Sequence, residues 1–372
     1  MKIASVDAYD LRVPYGCEFR PAWQRGLVRT ERDFTLVIVR TDNGLVGYAG
    51  RDGHHSSVVR GAVTPYLLGQ PVASTERHAK VFRNAGGMWF IDMALWDILG
   101  KSAGLPLHQL WGSARDSVPA YASTAQLGSV DDRVELARRY RSEGFNALKL
   151  RLRRDDLAAD LEVVDAVVAA VPAMTIMVDG NQATDLPELD PPRPWDYYRA
   201  HKMAKELEER GILWLEEPLA RHHRADLRRL TEATTLYIAG GEANQGLHEF
   251  RLLVEEHCYD IIQPDCTLSE GISQLRKIAS LAEIYGRQFV PHHGASGLGL
   301  AATLHLACSI PGETWLEMMY EPPVRAIENY QQLGGIVTSR IWIDDDGNVK
   351  PSSTPGLGVE VDETRVAQYV VG

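Results

Sequence analysis

The chain has little that would staple it, hold it in a bilayer or draw it to nucleic acid. Cysteine is scarce: Cys17, Cys258, Cys266 and Cys308 are the four among 372 residues. None stands in a CxxC pair, which removes the usual zinc and redox motifs and predicts reduced thiols in a cytoplasmic protein. Positive charge is in deficit, with 39 Lys and Arg against 50 Asp and Glu and a formal net charge of −11. That balance argues against a polyanionic partner such as nucleic acid. It leaves an anionic small molecule open, because a bound cation and local Arg or Lys reverse the field inside a cleft. No uncharged apolar run approaches the ~20 residues of a membrane span. The opening stretch Met1–Asp7 reads as a strand and not as an export signal. The run Gly294–Gly299 lacks both GxGxxG and a following lysine, so a nucleotide role is not expected.

What is present is an ordinary globular composition, 45% apolar, in a length that suits one barrel with an addition. Residues 1–13 and 34–40 read as strands, Thr41-Asp42-Asn43-Gly44 as a hairpin turn and Leu45–Ala49 as the returning strand. Two loops, Pro14–Arg32 and Gly50–Ser57, carry Arg20, Trp23, Arg25, Arg29, Arg51, His54 and His55. Met88–Leu99 is apolar on most faces, as a buried helix is. This first unit, 1–117, is α+β.

From Val118 the pattern becomes strand and helix in alternation, the mark of a parallel sheet. Strands begin near Val118, Ala147, Thr175, Leu213, Leu236, Asp260, Gln288 and Thr314, in steps of 23 to 38 residues. Eight such strands are the number that closes a (β/α) barrel, here 118–339. The longest step holds the proline-rich insertion Leu186–Pro194, which should lie on the active rim. Residues 340–372 return to hairpin chemistry and are expected to pack on the first unit.

Catalytic groups of such barrels sit at the C-terminal ends of the strands. Asp179, Glu216 and Glu242 each end a short apolar run, spaced 37 and 26 residues apart. Three carboxylates on neighbouring strand tips repel unless a cation joins them, and hard oxygen ligands suit Mg²⁺. Lys149 and Arg151 are two apart and share one face of the second barrel strand. Asp265 ends the sixth strand, His292 and His293 the seventh and Glu317 the eighth. An Asp beside a His on adjacent strands can fix its tautomer and raise its basicity.

These residues stand in motifs that resemble the mandelate racemase-like branch of the enolase superfamily, over essentially the whole chain. The motifs are Ile91–Lys101, Lys149-Leu-Arg151, Val178-Asp-Gly-Asn181, Trp214-Leu-Glu-Glu-Pro218, Gly241-Glu242, Gln263-Pro-Asp265 and Pro291-His292. The resemblance implies a modified TIM barrel under a capping domain and Mg²⁺ on Asp179, Glu216 and Glu242. It also implies abstraction of a proton alpha to a substrate carboxylate, with the His292–Asp265 dyad as one base. A homo-oligomer is implied as well. The chain departs at Arg151, where many relatives have a second lysine base. Arginine is not deprotonated in proteins but clamps carboxylates.

One base is enough for elimination of water, whereas racemisation needs one on each face of the carbon. The expected activity is therefore dehydration of a hydroxylated sugar acid to a 2-keto acid. Lys149, Arg151 and a protonated Glu317 would stabilise the intermediate. Asn181, Arg20, Trp23, Arg25, His54 and His55 are the expected substrate contacts. A racemase or sugar-lactone cycloisomerase using the same enolate is the alternative, and a metal-binding homologue without catalysis is the other.

Overall fold

The computed structural model describes residues 1–371. The chain opens with an antiparallel sheet of β1 (Ile3–Phe19), β2 (Arg29–Thr41) and β3 (Val46–Asp52), in the order β1-β2-β3. Gly44 takes φ +87° in the β2–β3 turn, as the Asp-Asn-Gly signal requires. The expected loop Pro14–Arg32 is much shorter than the sequence implies. Pro14 still pairs with Glu31, and after a register shift Phe19 pairs with Arg29, so only residues 20–28 connect the strands. The physical reason is distant packing: Tyr15 and Phe19 bury against Ala125, Met319, Val324 and Tyr330 from the barrel side, which holds the strand extended past its proline and glycine.

The expected helix Met88–Leu99 is divided. A 3₁₀ turn, Trp89–Ile91, leads into the helix Asp92–Ala103, which stops at Gly104 in the left-handed region, φ +70°. Asp92 marks the join. Its buried carboxylate accepts from the backbone N–H of Ser273 at 2.7 Å and from its hydroxyl at 3.1 Å. Ser273 belongs to the barrel helix Ile272–Ile284, so this acid ties the cap helix to the barrel.

Eight parallel strands follow: β4 (Val118–Ser123), β5 (Ala147–Arg151), β6 (Thr175–Asp179), β7 (Trp214–Glu216), β8 (Tyr237–Gly240), β9 (Ile261–Ile262), β10 (Gln288–Phe289) and β11 (Leu316–Met319). Their order is β10-β9-β8-β7-β6-β5-β4-β11. All eight lie where the alternation places them. Among the described residues the ladder does not run between β10 and β11. There the Thr314 hydroxyl donates to the Phe289 carbonyl at 2.8 Å, so a side chain bridges the seam.

Inside the barrel, Tyr121, Ala147, Met177, Trp214, Ala239 and Ile261, one from each of β4 to β9, form an apolar floor with Val290, which directly follows β10. Side chains two positions further along a strand point the same way. That step leads from Ala147 to Lys149, from Met177 to Asp179, from Trp214 to Glu216, from Ile261 to Gln263 and from Val290 to His292. Leu148, Leu150 and Leu152 face outward into the large core shared with the helices.

The proline-rich insertion follows β6 and meets the cap, Leu189 donating its N–H to the Arg25 carbonyl at 3.0 Å. The C-terminal tail divides its contacts. β12 (Asn348–Val349) pairs antiparallel with β4 of the barrel, whereas Tyr369 and Val371 hydrogen-bond to Arg12 and Asp10 of β1.

Candidate active site

The strand register sets the ring of polar groups above the floor. Arg151 lies beside Asp179, and Asp179 beside Glu216, across β5, β6 and β7. At the end of β8, Gly241 takes φ +124°, a conformation that favours glycine, and the chain turns there into Glu242. Lys149 and Arg151 are buried in this ring with anions around them. Lys149 Nζ donates to Glu216 Oε1 at 2.6 Å and lies 3.9 Å from Asp179. It also stands 2.9 Å from Glu317 Oε1, outside hydrogen-bonding geometry. Arg151 pairs with Asp179 through Nη1, and its Nε donates to the Thr124 carbonyl at 2.7 Å. Burial opposes both charges, and the surrounding carboxylates more than offset it, so both pKa values rise.

On the other side of the ring His292 bridges two acids. Nδ1 is 2.5 Å from Asp265 Oδ2, and Nε2 is 2.9 Å from Glu242 Oε2. Burial alone would lower the imidazole pKa. The charges of Glu242 and Glu317 and the bonds to Asp265 and Glu242 outweigh it and push it well up. Asp265 is itself fixed by the Thr267 N–H and hydroxyl, both at 2.6 Å, and by the Gly294 N–H at 3.1 Å. Burial would raise its pKa, but the His292 bond and charge hold it well below the ordinary range.

The three strand-tip acids do not close on one another as bare ligands. Asp179 faces Arg151, Glu216 faces Lys149 and Glu242 faces His292. Among the described residues, the group of side chains whose ligand atoms gather within 4.8 Å is Asp265, His292 and His293. Even so, the ring is rich in acid. Burial, and then the charge of Glu216, drives the Asp179 pKa up to about 8. Burial and the charges of Glu242, Asp179 and Glu216 push Glu217 well up too. Of the three tip acids, Asp179 resists ionising while Glu242 is kept ionised by His292, and the donor set is all hard oxygen, which suits a hard divalent cation. The residues therefore fit Mg²⁺.

Residues 132–365 match the family model "Enolase C-terminal domain-like", and residues 19–112 match "Mandelate racemase / muconate lactonizing enzyme, N-terminal domain". The chain belongs to the enolase superfamily, in its mandelate racemase-like branch. This superfamily member is 29% identical to a D-galactonate dehydratase family member from Streptomyces bingchenggensis, over 91% of this chain and 90% of that one. It is equally 29% identical to a D-galactarolactone cycloisomerase from Agrobacterium fabrum, over 99% of each. A crystal structure of L-talarate dehydratase from Polaromonas, in complex with Mg and L-glucarate, superposes with a TM-score of 0.83 at 25% identity, covering 100% of this chain and 98% of that one.

The expected substrate contacts separate into those that reach the ring and those that do not. Trp23 does: its ring lies 5.3 Å from the Arg151 guanidinium. Asn181 is buried beside Asp179, whose Oδ1 accepts its N–H at 2.7 Å, and its own Oδ1 has no protein partner. Arg20 pairs instead with Glu18 at 2.7 Å on the surface. Arg25 pairs with Asp155 and Asp190, at 3.0 and 2.7 Å, and so latches the cap loop to the insertion. His54 sits 2.9 Å from Asp33, and His55 faces the Asp52 carbonyl at 3.0 Å. Each of these four side chains finds a partner nearer than the ring. A cavity of about 650 Å³ is lined by Arg20, Arg25 and Arg133 and by none of the strand-tip residues. It lies outside the site that the chemistry marks.

Glu317 also differs from expectation. Burial would keep it protonated, but Lys149, His292, His293 and Arg151 hold its pKa well below the ordinary value. That direction favours the carboxylate form over the protonated donor that the sequence suggests. Sequence reasoning passed over Gln263, which donates to Glu216 Oε2 at 2.9 Å. The signal was available: Gln263 is two residues before Asp265 on one strand end. It also passed over Glu217 and over Tyr330, whose hydroxyl lies 2.7 Å from Nδ1 of the strand-end His293.

Proposed function

We propose that the chain is a Mg²⁺-dependent acid-sugar dehydratase, which removes the proton alpha to a carboxylate and eliminates water to leave a 2-keto acid. The observation that carries this reading is the asymmetry of the ring. One side presents a histidine oriented by a buried aspartate. The other presents Arg151, a cation that does not act as a base and is already paired with Asp179. A site with one base suits elimination, in which the same imidazole takes the alpha proton and returns it to the departing hydroxyl. The relatives named dehydratases support the same class.

Asp179, Glu216 and Glu242 would hold Mg²⁺, which when bound supplies positive charge against the developing enediolate. Asp265 fixes the His292 ring through Nδ1, so that Nε2 is the nitrogen that handles the proton. Lys149 and Arg151 offer fixed positive charge from a buried position, and groups of that kind are worth roughly 3 kcal/mol each. Trp23 lies over Arg151, its ring 5.3 Å from the guanidinium. A cytoplasmic location is supported by the four free thiols, and no helix is long and apolar enough to cross a membrane. Assembly into a homo-oligomer rests on the family resemblance.

The cycloisomerase relative keeps a second reading in view, in which the same enolate is opened or re-protonated without loss of water. A library of sugar acids with Mg²⁺ separates the two. The dehydratase forms 2-keto acid from at least one member. Alpha-proton exchange with D₂O at full retention of the hydroxyl, with no keto acid from any member, would replace it with the isomerase.

A further inference from the structure

Arg325 is a buried guanidinium without an acid. It is 5% exposed and lies on the turn that follows β11. Its Nε and Nη1 are enclosed and find no hydrogen-bond partner, and it makes no ion pair among the described residues. Four aromatic rings cage it instead, with centroids at 4.4 Å for Tyr330, 4.8 Å for Phe19, 5.8 Å for Tyr15 and 5.9 Å for Trp23. Glu321, which exchanges two backbone hydrogen bonds with Arg325, has its carboxylate engaged elsewhere. Glu321 accepts the Ala125 and Gln126 N–H groups and pairs with Arg133 at 2.7 Å. The contrast with Arg32 is instructive. Arg32 lies over the same Tyr330 ring at 4.4 Å, but Asp52 is 2.6 Å from its Nη2. One of the two arginines on that ring is neutralised and the other is not.

Ring faces soften the burial of a cation without satisfying its N–H groups. A buried donor with no partner in a folded protein needs an explanation, and a ligand is one. The cage also lies one aromatic layer from the reacting groups. Trp23 carries Arg325 and Arg151 on its ring. Tyr330 touches His293, whose ring centroid is 4.0 Å from that of His292.

We propose that Arg325 receives a second carboxylate at the far end of the substrate, so that the preferred substrates are aldarates and not aldonates. This rests on the acid-sugar reading above. The planar guanidinium fork matches a carboxylate, and the surrounding rings offer no competing anion. An aldonate, with a terminal hydroxymethyl group, would leave the cation uncompensated.

The test is calorimetric binding of matched pairs, galactarate with galactonate and glucarate with gluconate, to the full-length His292→Asn chain with Mg²⁺, which blocks turnover. The expected result is tighter binding of the diacid in at least one pair by on the order of 100-fold, the scale of a charge-assisted hydrogen-bond pair. Adding Arg325→Met brings that ratio close to one, and Arg325→Lys leaves it in between. A side chain that only packs would weaken both members of a pair alike and leave the ratio unchanged. Equal affinity for both members in the His292→Asn chain overturns the inference, and so does a ratio that survives Arg325→Met. Aldonates turned over by the wild-type chain without any preference for diacids would sink this inference while the dehydratase stands. No binding by any acid would sink both.

Discussion

His292 Nε2 stands 2.9 Å from Glu242 Oε2, so the proposed base and a proposed metal ligand lie within hydrogen-bond reach of each other. The contact links proton handling to the acid ring.

His292→Asn should lower kcat by at least 10²–10⁴-fold, the range for a general acid or base, while far-UV circular dichroism stays unchanged. Asp265→Asn should fall in the same range, because the amide no longer fixes the imidazole through Nδ1. Residual activity within a few-fold of wild type in either variant would remove the dyad from the mechanism.

Arg151→Lys tests the asymmetry of the ring. A lysine there can lose its proton and supply a second base on the face opposite His292. The expected gain is epimerisation at the alpha carbon, read by proton NMR as deuterium entering a product that keeps its hydroxyl. Loss of dehydration with no such exchange would mean that Arg151 acts only as a clamp on Asp179.

Gln263 holds Glu216 through a 2.9 Å hydrogen bond. Groups that orient metal ligands typically change affinity by about 10–100-fold. Gln263→Leu should therefore weaken Mg²⁺ binding within that range, measured by titration of EDTA-treated protein, with kcat at saturating metal much less affected. An unchanged Mg²⁺ affinity would make Gln263 a packing residue.

A pH effect on stability should come from a site far from the ring. His305 is buried in the helix Gly297–Ser309, where its Nδ1 accepts the His108 N–H at 3.2 Å and Nε2 faces the Leu357 carbonyl at 3.1 Å. Protonating Nδ1 would set two donors against each other. Burial lowers its pKa to about 4, from an ordinary 6.5. Between those values the unfolded chain binds the proton that the folded chain refuses, so folding stability falls as pH drops from about 6.5 to about 4, by at most roughly 3 kcal/mol. Asp92 and Asp160, both raised from 3.8 to about 6 mainly by burial, tilt the curve the other way in the overlapping window. Denaturant melts of wild type and His305→Asn isolate the histidine, because both aspartates remain. The variant should lose less stability on acidification, and parallel curves would remove His305 as the cause.

The sequence by itself determined the periodic part of the molecule. Eight apolar runs alternating with helices specify a parallel barrel, and the acid, lysine or histidine at the ends of the second to eighth runs specifies a polar ring at one rim. The reason is local: inward and outward positions alternate every residue, so Lys149 and Arg151 must follow Ala147 to the same side, wherever the chain then goes. The tertiary structure decided which of those groups face which. Whether Glu242 faces a metal or His292, and whether Glu317 carries a proton, depends on charges brought together from strands far apart in the sequence. The same holds for the loops. Arg25 and His54 carry the charge of substrate-binding residues, yet each meets a nearer acid only because the fold supplies Asp155, Asp190 and Asp33. Arg325, unmarked by any motif, lacks an acid only because four rings from distant segments surround it. Periodicity is a property of neighbours along the chain, whereas the pairing of charges is a property of neighbours in space.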